Sequence, residues 1–343
     1  MAIKKEQFGA LDDGQKVTKY VLSRDDFNVS VLDYGATIQS ITLGGREMVL
    51  GYDSAAGYEH GGSYQGATVG RYANRISGPG FQLGDQYYKL EKNNDGKEHL
   101  HGGFGGFGHR MWSVKEIFDD ESEPGICFEI FSADMEDGYP GNFTASVTFT
   151  ITDYGTLNLR YSAHSDKDTV VNLTNHAYFS LGQQSILDTE IMINAERITE
   201  VDKDLIPTGE LMPVEGTPFD FRTSHKIGER IGEDNAQLKY GGGYDHNFVL
   251  GTERLWRLAA VARTPDGVGL RCYTDMVGVQ FYTANMLNEK AGRGGAPLVK
   301  NAGFCLETQF FPDTPNNPAF PSCVLKADHP FNSSTSYRFT LDK

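Results

Sequence analysis

The chain has 343 residues, 39% hydrophobic and 12% aromatic, enough apolar material to bury a large core and to exclude disorder. Forty of those residues are glycine, which excludes coiled coils and helical repeats and points to a turn-rich, β-dominated fold. A formal charge of −15 repels phosphate backbones and anionic lipid, so neither nucleic acid nor a membrane surface is an expected partner.

The N-terminal MAIKKEQFGALDDG has a basic start without an apolar core, and no apolar run reaches membrane-spanning length. A soluble cytoplasmic protein is expected. Cys127, Cys272, Cys305 and Cys323 show neither zinc-ligand spacing nor a disulfide framework, so reduced thiols and no metal are expected. Asn-x-Ser/Thr matches at Asn28, Asn142, Asn172 and Asn332 are read as chance in such a compartment.

Period-two alternation sets the elements along the chain. Phe27, Val29 and Val31 alternate with polar residues and predict a strand. The acidic, turn-rich segment 119–125 lies between two strand-like runs and predicts a hairpin loop. Val147, Phe149 and Ile151 run into Asp153-Tyr154-Gly155 and return through Leu157, Leu159 and Tyr161, a hairpin signature. The best helix candidate spans Ser224 to Leu238, although Gly228 and Gly232 weaken it. A second hairpin runs from Leu258, Ala260 and Ala262 through Pro265-Asp266-Gly267 to Val268, Leu270 and Cys272, and Val277, Val279 and Phe281 continue as a strand. Length alone allows about two domains. With no linker and no repeat, one large β domain over 1–343 is the expectation.

Several polar groups stand in unusual settings. Gly70-Arg71-Tyr72-Ala73-Asn74-Arg75-Ile76 brings two arginines and an amide together, suited to hydroxyl recognition or to surface ion pairs. His101 lies in a Gly-rich stretch where backbone can approach a ligand, and His176 lies in a mixed apolar and polar strand; a hydrogen-bonded core histidine is the competing reading of each. The GFGGFG run at 103–108 matches a dinucleotide fingerprint only formally, because the polar segment before it is no buried parallel strand. Asp245 follows three glycines, as in a ligand loop or an Asx turn. Glu307 shares a strand face with Cys305 and Gln309, so an inward Cys305 implies an inward Glu307, a buried carboxyl and a candidate general base.

Taken together, GRYANRI at 70–76, LHGG at 100–103, DGYPG at 137–141, VNLTNHAYF at 171–179, PTGE at 207–210, GYDHNF at 243–248, GVQFYTAN at 278–285 and GFCLETQ at 303–309 resemble the aldose 1-epimerase, or galactose mutarotase, family. The resemblance implies an all-β supersandwich of large antiparallel sheets, without cofactor or metal. It also implies roles. Glu307 would take the proton from the sugar O1, His176 would protonate the ring oxygen, and His101, Asn74 and Arg75 would hold and polarise the sugar. Asp245 would accept from ring hydroxyls, while Tyr178 and Gln280 would complete the pocket wall. The implied reaction is interconversion of α and β anomers of free hexoses such as galactose and glucose, by a monomer or weak homodimer. A hexose-6-phosphate 1-epimerase and a non-catalytic sugar-binding module of the same fold are the alternatives.

Overall fold

The computed structural model describes residues 3–153 and 155–341. Its fold is all-β, and every paired strand of its three large sheets is antiparallel. Residues Ile3 to Glu47 form a five-stranded meander. A nine-stranded sheet has Phe143–Thr152, Thr156–Ser165 and Phe331–Leu341 near its middle. The last of these closes the sheet by pairing both with Thr156–Ser165 and with Val268–Thr274, residues far apart in sequence.

Both predicted hairpins form. Val147 pairs with Tyr161 and Phe149 with Leu159, and the inward residues of this pair are wholly buried; Tyr154, in the expected turn, lies outside the described residues. Ala262 pairs with Leu270 and Ala260 with Cys272, around a turn in which Gly267 has φ of +91°. Segment 119–125 does connect the paired strands Ser113–Phe118 and Gly125–Ser132.

The helix expected from Ser224 to Leu238 is a misreading. His225–Lys226 pairs with the edge of the nine-stranded sheet, Ile227–Arg230 makes one helical turn, and a separate helix covers Ala236–Gly241. Asn235 starts that helix by accepting from the Gln237 and Leu238 N–H groups, so a cap interrupts what reads as one apolar stripe.

One apolar core includes residues from Ile3 to Phe339 and draws on all three large sheets. The third sheet, of five strands, orders Pro207–Pro213, Arg197–Val201, Asp245–Val249, Gly278–Tyr282 and Cys305–Gln309. Its last strand is buried on both faces. Leu306 packs in the core on one side; Cys305 and Glu307 point to the other, beneath a cleft. All four cysteines are buried and free. Among the described residues no helix is long and apolar enough to cross a membrane.

Candidate active site

A cleft of about 490 Å³ opens above Glu307, and Asn74, Arg75, His101, His176, Tyr178 and Asp245 line it together with that carboxylate. Seven of the eight expected site residues, distributed from 74 to 307, therefore converge. Gln280 does not line the cleft.

The first wall comes from two short strands, Arg75–Ile76 and His99–Leu100, that pair with each other. Just beyond them Asn74 and His101 bind one another twice. The His101 N–H donates to the Asn74 carbonyl oxygen (3.1 Å), and the Asn74 N–H donates to His101 Nδ1 (3.1 Å). Both residues take the left-handed conformation, with φ of +66° and +52°. For residues with a Cβ this costs about 1–2 kcal/mol each, an expense found where the backbone must aim a side chain. The adjoining Gly102 has no alternative, since a Cβ there would sit 1.9 Å from the Gly70 carbonyl oxygen. This close approach of the two loops is what brings His101 beside Asn74.

The bond into Nδ1 also settles the His101 tautomer. A nitrogen that accepts from an amide N–H carries no proton, so the ring proton is on Nε2. Burial, reinforced by nearby His176 and Arg75, pushes this imidazole well below the ordinary histidine range. His101 is thus a neutral, fixed donor.

The two arginines of the 70–76 segment part company. Arg71 turns away from the cleft, donating to the Pro140 carbonyl (2.8 Å) and Ser132 Oγ (2.7 Å) with its guanidinium 4.6 Å from the Phe143 ring. Arg75 turns in, with Nη2 3.8 Å from Asp245 Oδ2 and Nε 3.8 Å from Glu98 Oε1.

The second wall is the five-stranded sheet. Register pairs Asn247 with Gln280 and Gln280 with Glu307, while Asp245 pairs with Tyr282 and Tyr282 with Cys305. Gln280 leans one step diagonally and donates from Nε2 to Asp245 Oδ1 (2.7 Å). This corrects the sequence expectation: Gln280 stands behind Asp245 and orients its carboxylate. Burial raises the Asp245 carboxyl, with Arg75 and the Gln280 bond opposing that shift. A Gln280→Met variant loses the bond at similar volume. Hydrogen bonds to charged groups contribute about 1.5–3 kcal/mol, so a ligand held by Asp245 should bind about tenfold or more weakly; calorimetric titration checks it.

Glu307 and His176 form the floor. His176 is placed by its N–H donating to the Ala67 carbonyl (2.9 Å), which continues the pairing of Thr174–Asn175 with Thr68–Val69. Its Nε2 lies 3.7 Å from Glu307 Oε1 and its Nδ1 lies 3.5 Å from Cys305 Sγ. The Tyr178 ring stacks on it at 5.0 Å and the Tyr64 ring at 6.1 Å. Burial lowers the imidazole to about 4. Burial also raises Glu307 well above the ordinary carboxyl value, with the Asp245 charge adding and Arg75 opposing. Both directions leave this buried pair with one proton near neutrality.

His101, His176 and Glu307 each have a ligand-type atom within 4.8 Å of the others, a two-histidine, one-carboxylate set. The chemistry of His101 does not suit an ion. Its Nδ1 lone pair is taken by the Asn74 N–H, and its remaining nitrogen carries a proton where a metal would need a lone pair. Proton exchange suits this set better than metal binding.

Sequence reading missed Tyr64, Glu98 and Tyr282. Tyr64 covers His101 at 4.8 Å as well as His176, from a glycine-flanked loop at φ of +53°. The glycines around it are the only local signal, and they do not separate it from the other 16 of the chain's 17 tyrosines.

Residues 18–338 match the family described as Aldose 1-epimerase. Galactose mutarotase of Bos taurus is 38% identical over 352 aligned positions that cover 99% of each chain. Aldose 1-epimerase of Escherichia coli K12 is 34% identical over 92% of each chain. Among solved structures, galactose 1-epimerase from Lactobacillus acidophilus superposes with a TM-score of 0.89 at 27% identity, over 99% of each chain. The family match and relatives named galactose mutarotase and aldose 1-epimerase place the chain among the carbohydrate epimerases. The chain belongs to the aldose 1-epimerase family.

Proposed function

We propose that this enzyme interconverts the α and β anomers of free hexoses such as galactose and glucose, with Glu307 as general base and His176 as general acid. The observation that carries the roles is the 3.7 Å separation of His176 Nε2 and Glu307 Oε1 at the floor of the cleft. O1 and O5 of a pyranose are bonded to the same carbon, so an acid and a base that serve them together must stand only a few ångströms apart.

The proton balance closes on the pair. With the shared proton on His176, the Glu307 carboxylate takes the O1 proton while His176 Nε2–H protonates O5. The C1–O5 bond breaks, and the open aldehyde leaves a neutral carboxyl and a neutral imidazole. Rotation about C1–C2 presents the other face of C1. O5 then attacks C1 and returns its proton to His176, while Glu307 reprotonates O1. No net proton, electron or group leaves the site. The His101 Nε2–H, the Asn74 amide and Arg75 supply donors for sugar oxygens, Asp245 accepts from ring hydroxyls, and the flat faces of Tyr64 and Tyr178 suit the apolar faces of a sugar ring. We take the unit as a single domain over 1–343, a monomer or weak homodimer in the cytoplasm.

The rim favours an uncharged substrate over a phosphorylated one. Lys97 and Lys203 both bind Asp204, at 2.9 and 2.8 Å, and Arg75 faces Asp245 and Glu98. Each Lys and Arg among the described cleft-lining residues thus already has a carboxylate beside it. Polarimetry on freshly dissolved α-D-galactose and α-D-glucose should show the rotation change accelerated above the buffer rate. Glucose 6-phosphate should react with kcat/KM about tenfold or more lower at low ionic strength. No acceleration with either free sugar removes the proposed activity, and a preference for the phosphate ester selects the other epimerase reading.

A further inference from the structure

Building on that reading, we propose that Cys305 is a positioning residue for His176: its sulfur accepts the Nδ1–H and leaves Nε2 as the nitrogen that exchanges the proton with the sugar. The strand Cys305–Gln309 places Cys305 and Glu307 two residues apart on one face. One strand therefore delivers the base and the group that orients the acid. The Cys305 sulfur is wholly buried, and the His176 ring nitrogen 3.5 Å away is its hydrogen-bond partner.

The contrast with His101 gives the contact its meaning. There an amide N–H points at Nδ1, which pins the proton on Nε2 and makes that ring a permanent donor. At His176 no amide N–H takes that place. A thiol sulfur is a weak acceptor, and the residue's own carbonyl oxygen, whose two lone pairs also serve the Gly66 N–H at 2.9 Å, adds only a secondary contact that favours the protonated ring. Nδ1–H is thus oriented but stabilised little. A carboxylate or free carbonyl in its place would make the ring more basic and a poorer acid toward a weakly basic ring oxygen. Burial, with Glu307 and Asp245 nearby, holds the thiol itself in its neutral form, so no thiolate competes for the proton.

The other titratable groups facing the ring are Glu307 from the same strand, Tyr178 from its own segment, His101 at 5.3 Å, Tyr64 at 6.1 Å and Tyr282 at 6.3 Å. Beyond them lie Asp245 and Arg75, which also line the cleft.

The test is ring-nitrogen NMR on the full chain carrying ¹⁵N-histidine, joined to kinetics. In the unmodified protein, Nδ1 of His176 should stay protonated across the range in which Nε2 titrates. Cys305→Ser supplies a stronger acceptor, so the Nε2 midpoint and the acid limb of kcat should move up together by about half a unit to one unit. Near neutrality kcat should fall about tenfold, as is typical when a supporting hydrogen bond is altered, with KM within about twofold. Cys305→Ala should move the acid limb the other way. An unprotonated Nδ1 in the unmodified protein overturns the proposal even if neither variant folds. So does a Cys305→Ser enzyme with unchanged midpoint and kcat. An unmodified chain with no mutarotase activity would instead count against the parent reading, since the nitrogen spectra report the contact independently of turnover.

Discussion

Replacing Glu307 by Gln should lower kcat for mutarotation by about a thousandfold while the protein still binds sugar. The size follows from the range for general acid–base groups, about 10²–10⁴ in rate. The amide keeps the shape of the carboxyl but has no basic oxygen to take the O1 proton, and nothing else on the floor replaces it: Cys305 is a neutral thiol, His101 is a fixed donor, and Asp245 is held by Gln280 and faced by Arg75. Folding should not suffer, because burial already favours the neutral form at this position. Polarimetry gives kcat and calorimetric titration with galactose gives binding. Turnover within tenfold of the parent enzyme would remove Glu307 from the base role.

His176→Gln should cost about a hundredfold or more in kcat and change the shape of the pH profile. In the parent enzyme the active form of the pair holds one proton. Lowering the pH adds a second, and this acid limb should lie below the ordinary imidazole value, near pH 4, because burial lowers His176 to about 4. Raising the pH removes the only proton, and that limb should lie well above the ordinary carboxyl value, because burial and Asp245 raise Glu307. The profile is a bell that is broad across neutrality. Without the imidazole the residual rate needs only an ionised Glu307, so it should rise with pH and show no descending limb. A variant that keeps both limbs would assign the acid role to another group. Loss of the stacked ring between Tyr64 and Tyr178 should also lower Tm, which makes the profile the decisive readout.

Glu307 was legible because β structure has a period of two: a strand that hides Cys305 hides Glu307 as well, whatever it pairs with. The hairpins at 143–165 and 257–274 were legible for the same local reason, with turn residues marking their reversals. The helix at 224–238 was misread because the local cap signal at Asn235 was passed over and because His225 pairs with Ile191, a partner that no helical stripe records. Gln280 was misassigned because its partner, Asp245, is set by register across two strands 35 residues apart.

Seven of the residues that line the cleft, the inward face of the Glu307 strand and the family resemblance were therefore legible in the sequence, since motif chemistry and period-two patterning are properties of adjacent residues. Tertiary structure alone decided that Gln280 stands behind a carboxylate and that Tyr64 covers the histidines. It also separated the two imidazoles. His101 and His176 are the same side chain, and the group opposite Nδ1 differs, an amide N–H in one and a sulfur in the other; the amide N–H makes His101 a fixed donor, and the sulfur is the contact on which the proposal for His176 rests. Those contacts join residues 27 and 129 positions apart, and the packing of sheets and loops sets distances of that kind.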